Sequence, residues 1–258
     1  MNPTAVITLS NAGARQAQRL IREMPLCDLF LHETVSRRYA GERFSRTAEL
    51  TKKLFRRYRR LVYIMPCGVV VRALDGLMKH KQQDPAVVVV DAGGRYAVSL
   101  LSGHEGGANA LALRVGNALM AEPVISTTTE AEKDVIVGVG CRRGAKAADI
   151  VSAVRQGLKR ARVRAGRVRL MATADIKKDE PGLLAAAGML GFGLRVISSD
   201  EIRGTVKKIR RSAFVQSRVQ LPAVAEPAAL LAGRRTTLLL PKTILHGVTV
   251  AVAKENFI

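Results

Sequence analysis

The sequence has no tryptophan, and aromatic residues fill only 4% of its 258 positions. Proteins that hold single-stranded nucleic acid stack bases on aromatic rings, so this scarcity argues against that class. Cysteine is also rare. Cys27, Cys67 and Cys141 are odd in number and far apart, which excludes a disulfide framework. There is no CxxC pair and no His-x-x-x-His pair among His32, His80, His104 and His246, so no protein-held metal is expected. No apolar run reaches the roughly 20 residues of a membrane-crossing helix. The opening MNPTAVITLSNAGARQAQRL has no basic stretch before a long apolar core, as a secretory signal would. The chain is therefore read as cytoplasmic, with no membrane partner.

Acidic residues are scarce as well: 21 Asp and Glu stand against 42 Lys and Arg, for a net charge of +21. Such a field attracts polyanions, whether nucleic acid, an anionic membrane or a small molecule fringed with carboxylates or phosphates. The low aromatic content argues against a base-stacking binder, and no nucleic-acid partner is expected; free use of arginine without a specific partner is the alternative.

What is present reads as globular α/β. Hydrophobic residues make up 48% of the chain. Short apolar runs alternate with helical stretches: TAVITL then NAGARQAQRLIREM, LCDLFL, the helix TAELTKKLFRRYRR after a loop-like YAGERFS, LVYIM, and PCGVVVRALDGLMKH. Ser45 or Thr47 is the expected helix cap, and Leu50, Leu54, Tyr58 and Leu61 have the spacing of a core face. AVVVVDAGGRYAVSLL gives two β runs about Ala92-Gly93-Gly94, a hairpin signal. The polar TTTEAEKD marks the boundary between an N-terminal α/β domain, 1–131, and a C-terminal α/β domain, 132–258. The second contains the strand-like VIVGVG, VRLMATA and LRVISS, a basic stretch Arg203–Gln220 that resists assignment, a short helix in PAVAEPAALLAG, and closing strands TTLLLPK and GVTVAVA. The pattern predicts two domains with largely parallel sheets.

Three loops carry chemistry-bearing residues. LLSGHEGGAN joins a strand to a helix and puts Ser102, His104 and Glu105 among Gly103, Gly106 and Gly107, ahead of Asn109. Ligands of open α/β sheets sit beyond the carboxyl ends of strands. His104 is the side chain suited to exchange a proton near neutral pH. Glu105 would hold or assist it, and Ser102 would donate a hydrogen bond. The alternative is a tight turn that only caps the next helix. GVGCRRG, Gly138–Gly144, resembles a dinucleotide loop but has Arg143 in the third glycine's slot; with Arg142 it suits an anion at a helix N-terminus. Cys141 there suits a small buried residue better than a nucleophile. DIKKDEPG sets Lys177, Lys178, Asp179 and Glu180 before Pro181, as a ligand-facing or a merely solvated loop. Arg72 with Asp75 fits a helix-surface pair, and Lys242 is read as ending a strand.

Together, CGVVVRALDGLMKHKQQDPAVVVVDAGGRYAVSLLSGHEGGAN, PVISTTTEA, VGVGCRRGAKAADI, ADIKKDEPGLL and LLLPKTILHGVTVAVA resemble the cobalt-precorrin-5A hydrolase family of the anaerobic cobalamin pathway. The resemblance implies opening of the ring A δ-lactone of cobalt-precorrin-5A, loss of the two-carbon bridge as acetaldehyde, and formation of cobalt-precorrin-5B. It implies no cofactor, since the cobalt arrives with the corrinoid substrate. A homodimer and contacts with other enzymes of the pathway are left open. Catalysis is assigned to His104 as base, Glu105 as its orienting partner, Ser102, and either Glu180 or a protonated His104 as proton shuttle. Substrate contacts fall to Arg72, Gly103, Gly106, Gly107, Asn109, Cys141, Arg142, Arg143, Lys177, Lys178 and Lys242. One departure stands out. Family members commonly carry a middle segment where this chain passes from Thr129 to Val137 almost directly, and Glu130 replaces the usual aspartate. A non-catalytic carrier of a corrinoid intermediate is the alternative.

Overall fold

The computed structural model describes residues 3–205 and 223–256. Residues 206–220 of the basic stretch Arg203–Gln220 fall outside them. The chain divides into two compact units, Met1–Thr127 and Thr128–Ile258; both are α/β, with mostly parallel strands.

The first unit is a seven-stranded sheet in the order β3-β2-β1-β4-β5-β6-β7. Its strands are β1 Thr4–Thr8, β2 Cys27–His32, β3 Glu42–Phe44, β4 Arg60–Ile64, β5 Ala86–Val90, β6 Tyr96–Leu101 and β7 Glu122–Val124. The central strands β1, β4 and β5 are buried along nearly their whole length because both faces are covered. Val6, Val62, Ile64, Val88 and Val90 pack beneath α1 (Asn11–Glu23) and α4 (Ala108–Leu119). Ala5, Ile7, Leu61, Tyr63, Val87 and Val89 face α2 (Thr47–Arg57) and α3 (Cys67–Leu74). This period-two alternation sorts each strand's side chains between two cores. Tyr63 is fully buried, donates its hydroxyl to Thr51 at 3.0 Å, and has its pKa pushed up to about 12 by that burial.

Three local expectations change. YAGERFS contains β3, a three-residue edge strand paired with β2. The cap of α2 is Arg46, without a side-chain cap bond, in place of Ser45 or Thr47. Leu50, Leu54, Tyr58 and Leu61 are all buried, but Leu61 lies on β4 and Tyr58 ends the helix.

Strand direction matters most for the site. β1, β2, β3, β4 and β5 run parallel, but β5 and β6 form the Gly93-Gly94 hairpin and are antiparallel. β7 then pairs parallel to β6. β6–α4–β7 is thus a βαβ unit running against the rest, and SGHEGGAN lies at the edge where β1, β4 and β5 begin.

The second unit has β8 Val135–Gly140, β9 Val168–Ala174, β10 Gly193–Ile197, β11 Thr236–Leu245 and β12 Val248–Glu255, in the order β10-β9-β8-β12-β11. β8, β9 and β10 are parallel, while β12 pairs antiparallel with β8 and β11. Helix α5 (Thr128–Ala131) precedes β8. α6 (Ala147–Arg160) and α7 (Pro181–Leu190) cover Val135, Val137 and Val139. α8 (Ser199–Gly204) follows β10, and α9 (Ala225–Leu231) lies on the opposite face of β8. The glycines of VGVG belong to that packing. A Cβ on Gly138 would lie 1.9 Å from the Ala225 carbonyl oxygen, so the strand must be bare where α9 crosses it. The resemblance of GVGCRRG to a dinucleotide loop therefore has a different cause, since Gly138 and Gly140 are strand residues.

Candidate functional site

In the first unit, β6 ends and Ser102 takes a left-handed φ of 59°. Gly107 follows at φ 87° and leads into α4. The loop closes on itself: the Ala108 N–H donates to the Ser102 carbonyl at 3.1 Å and the Asn109 N–H to that of Gly103 at 3.0 Å. Gly106 lies directly over Ser102, where a Cβ would come within 2.3 Å of the serine Cβ. Ser102 is 5% exposed, and among the described residues its hydroxyl has no hydrogen-bond partner. The hydroxyl expected to face a ligand is instead covered by the loop.

Asn109 is committed internally as well. Its Oδ1 accepts from the Ser99 hydroxyl at 2.8 Å, and its Nδ2 donates to Thr127 at 3.0 Å. The side chain ties β6, the start of α4 and the segment after β7 together, which makes it the frame of the loop; the substrate contact expected of it would compete with both bonds.

What the loop presents outward is His104 and Glu105, both exposed. Glu105 Oε1 stands 2.5 Å from Lys81 Nζ, and that hydrogen bond, followed by one from the residue's own backbone N–H, holds its carboxyl below the usual range. No bond joins Glu105 to His104, so the carboxylate is oriented by Lys81 and not spent on the imidazole. Lys81 was not among the residues singled out from the sequence. Among the described residues, the N–H groups of Gly106 and Gly107 make no hydrogen bond. An exposed imidazole beside two unengaged backbone donors can shuttle a proton and stabilise a developing oxyanion. Arg72 lies on the exposed side of α3 and bonds the Gly68 carbonyl of its own helix at 3.3 Å.

In the second unit the loops after β8 and β9 meet. The Gly144 N–H donates to Glu180 Oε1 at 3.0 Å, and Glu180 is only 7% exposed. Gly182 packs so closely on the 141–146 loop that a Cβ would lie 1.9 Å from the Ala145 carbonyl oxygen. Glu180 thus acts as a staple between loops, with one oxygen already taken from the shuttle role. Asp175 extends the joint to the start of α8 by accepting from the Ser199 N–H at 2.9 Å and from its hydroxyl.

A cavity of about 220 Å³ lies at this joint, lined by Arg143, Gly144, Ile176, Asp179, Glu180 and Pro181. It is smaller than the roughly 300–1,000 Å³ of sites that engulf whole ligands. One arginine and two carboxylates line it; of the expected substrate contacts Arg143 is in the lining, and Arg142, Lys177 and Lys178 are not. Arg142 and Arg143 are exposed; Lys177 and Lys178 are half-buried. Cys141 is a half-buried free thiol whose pKa is raised by burial, against the lowering effect of Lys177. Lys242 lies within β11, at an irregularity between Leu240 and Thr243, and not at a strand end; its N–H donates to buried Glu226 at 2.6 Å. Among the described residues no cluster of three His, Cys, Asp or Glu could hold a metal, and no helix is long and apolar enough to cross a membrane.

Two family models match in succession: the cobalamin synthesis G N-terminal model over residues 49–130 and the cobalamin synthesis G C-terminus model over residues 135–253. The chain belongs to the cobalamin synthesis G family. Its two halves follow one another almost directly, with SGHEGGAN in the first match and both second-unit loops in the second. A cobalt-precorrin-5A hydrolase of Priestia megaterium is 25% identical over 352 aligned residues, covering 96% of this chain and 94% of that protein. The alignment is longer than the 258 residues here, so that relative carries residues this chain lacks. A cobalt-precorrin-5A hydrolase of Salmonella typhimurium is 35% identical over 152 residues, 58% of this chain and 43% of that protein. Among solved structures, CobE, a protein from the cobalamin biosynthetic pathway, matches 47% of this chain and 90% of its own at 26% identity and TM-score 0.45.

Proposed function

We propose that this protein is a cobalt-precorrin-5A hydrolase that opens the ring A δ-lactone and releases the two-carbon bridge as acetaldehyde, leaving cobalt-precorrin-5B. Its family membership and the names of its relatives support the hydrolase reading. The observation that carries it is the SGHEGGAN loop, which turns His104 outward next to two unengaged glycine N–H groups.

In this reading His104 removes a proton from the attacking water. The N–H groups of Gly106 and Gly107 receive the charge that forms on the lactone carbonyl oxygen. Collapse of the tetrahedral species yields a carboxylate and a hydroxyl on the bridge carbon. Loss of that hydroxyl proton breaks the carbon–carbon bond, releases acetaldehyde and leaves an electron pair on the macrocycle, which takes up a proton; His104 is the group that moves these protons. Arg72, Arg142, Arg143, Lys177 and Lys178 pair with peripheral carboxylates, arginine in the bidentate manner. The cobalt belongs to the substrate.

Incubation of the purified protein with cobalt-precorrin-5A tests the proposal. Stoichiometric acetaldehyde with turnover is the expected result. Tight binding of the corrinoid without product would instead identify a carrier.

A further inference from the structure

We propose that Lys81 is the positioning residue of the SGHEGGAN loop, anchoring Glu105 and thereby fixing where His104 stands. This rests on the reading of His104 as the loop's proton-transfer group.

The arm made of His104 and Glu105 is flanked by Gly103 on one side and Gly106-Gly107 on the other, and glycine supplies little stiffness of its own. Both residues of the arm are exposed, so packing does not hold them. Among the described residues, the contact that reaches the arm from outside the loop is Lys81 Nζ on Glu105 Oε1.

Lys81 in turn is held in a built turn. Asp84, 8% exposed, accepts from the N–H of Lys79 at 2.9 Å and of His80 at 3.1 Å. The His80 carbonyl accepts from the N–H of Gln83 and of Asp84, both at 2.9 Å. Arg59, just before β4, donates to the Gln83 carbonyl at 3.2 Å. The antiparallel pairing of β5 with β6 places this turn opposite the loop, since Val87 lies across from Leu101 and both chains continue outward from there.

The charged and titratable groups around the arm are therefore Glu105 and His104 on the loop, and Lys79, His80, Lys81 and Asp84 on the facing turn, with Arg59 behind. Asp84 is committed to backbone N–H groups, which leaves Lys81 as the partner of Glu105. An exposed ion pair adds little to global stability. Its effect here is directional: a Glu105 held ionised on Lys81 cannot swing onto His104. Because the carboxyl lies below its ordinary value, the pair is complete at and above the usual carboxylate range and is lost as the pH falls through the lowered value.

The test compares the parent with Lys81→Met and Lys81→Arg. Hydrogen exchange is read at the Ala108 and Asn109 amides, which close the loop, and acetaldehyde release is followed against pH. In Lys81→Met the thermal midpoint should hold. Exchange at the two amides should quicken, kcat should fall about tenfold with little change in KM, and the acid limb of the rate profile should move to higher pH. Lys81→Arg should restore all three. Added salt should quicken exchange in the parent and leave Lys81→Met unchanged. Unaltered exchange in Lys81→Met overturns the proposal, and so does faster exchange with an unaltered kcat and pH profile. A parent that releases no acetaldehyde overturns the hydrolase reading instead, and the exchange measurement still decides whether Lys81 orders the loop.

Discussion

The two units both place glycine-bearing loops where a strand hands over to a helix, yet the polar groups those loops carry meet opposite ends. In SGHEGGAN, Gly107 turns the backbone and Gly106 closes over Ser102, so that His104 and Glu105 stand in solvent with, among the described residues, two N–H groups unengaged. In the second unit Gly182 closes on the Ala145 carbonyl and the strand residue Gly138 lies beneath α9, while Gly144, at φ 73°, donates its N–H to Glu180. One loop is built to present groups and the other pair to be rigid. A run of glycines near a strand end therefore does not itself mark a ligand loop; what matters is whether the polar groups it carries remain unspent.

Substitutions can break this contrast, and the largest effect belongs to the presenting loop. His104→Ala should lower acetaldehyde release by about a hundredfold or more, the scale of a lost proton-transfer group, while the unfolding transition stays in place. Gly138→Ala should do the reverse in kind, lowering stability by about 1–3 kcal/mol through overpacking against α9. Chemical denaturation followed on second-unit probes would show it; an unchanged midpoint would mean that α9 is not seated as described. Glu180→Ala should cost about 1 kcal/mol, because the joint loses a hydrogen bond to a carboxylate while the Gly144 N–H, on an exposed residue, turns to water. Faster amide exchange at Gly144, with residues 102–107 unaffected, is the expected signature. The smallest effect concerns thiols. Exposed Cys67 should react readily with a maleimide at neutral pH. Cys141, its pKa raised by burial, should react slowly there and only gain speed at pH values above those at which ordinary thiols ionise.

Much of this was legible in the residues. The apolar runs VIVGVG and VRLMATA coincide with β8 and β9, because fully covered strands have no polar face to interrupt them. β3 was not legible, since three half-exposed residues at a sheet edge carry no alternation. The site motif was visible, but its edge of the sheet was not drawn. The Gly93-Gly94 hairpin already implied that β6 runs against β5, so the loop after β6 had to lie at the far edge from the carboxyl ends of the parallel strands. The burial of Ser102, the internal bonds of Asn109 and the staple made by Glu180 were out of reach, because a polar residue looks the same in sequence whether its groups are offered outward or used within. Lys242 misled for a related reason: Pro241 signals a strand end, whereas β11 absorbs it at an edge, where the missing N–H breaks no ladder.

The central claim is that His104, presented by its loop, moves the protons of the reaction. Its most direct test is the rate of acetaldehyde formation from cobalt-precorrin-5A by parent and His104→Ala protein under single-turnover conditions, after both are shown to bind the corrinoid equally. Loss of about two orders of magnitude or more in that rate, with binding retained, is the expected result. An equal rate in the two proteins would contradict it.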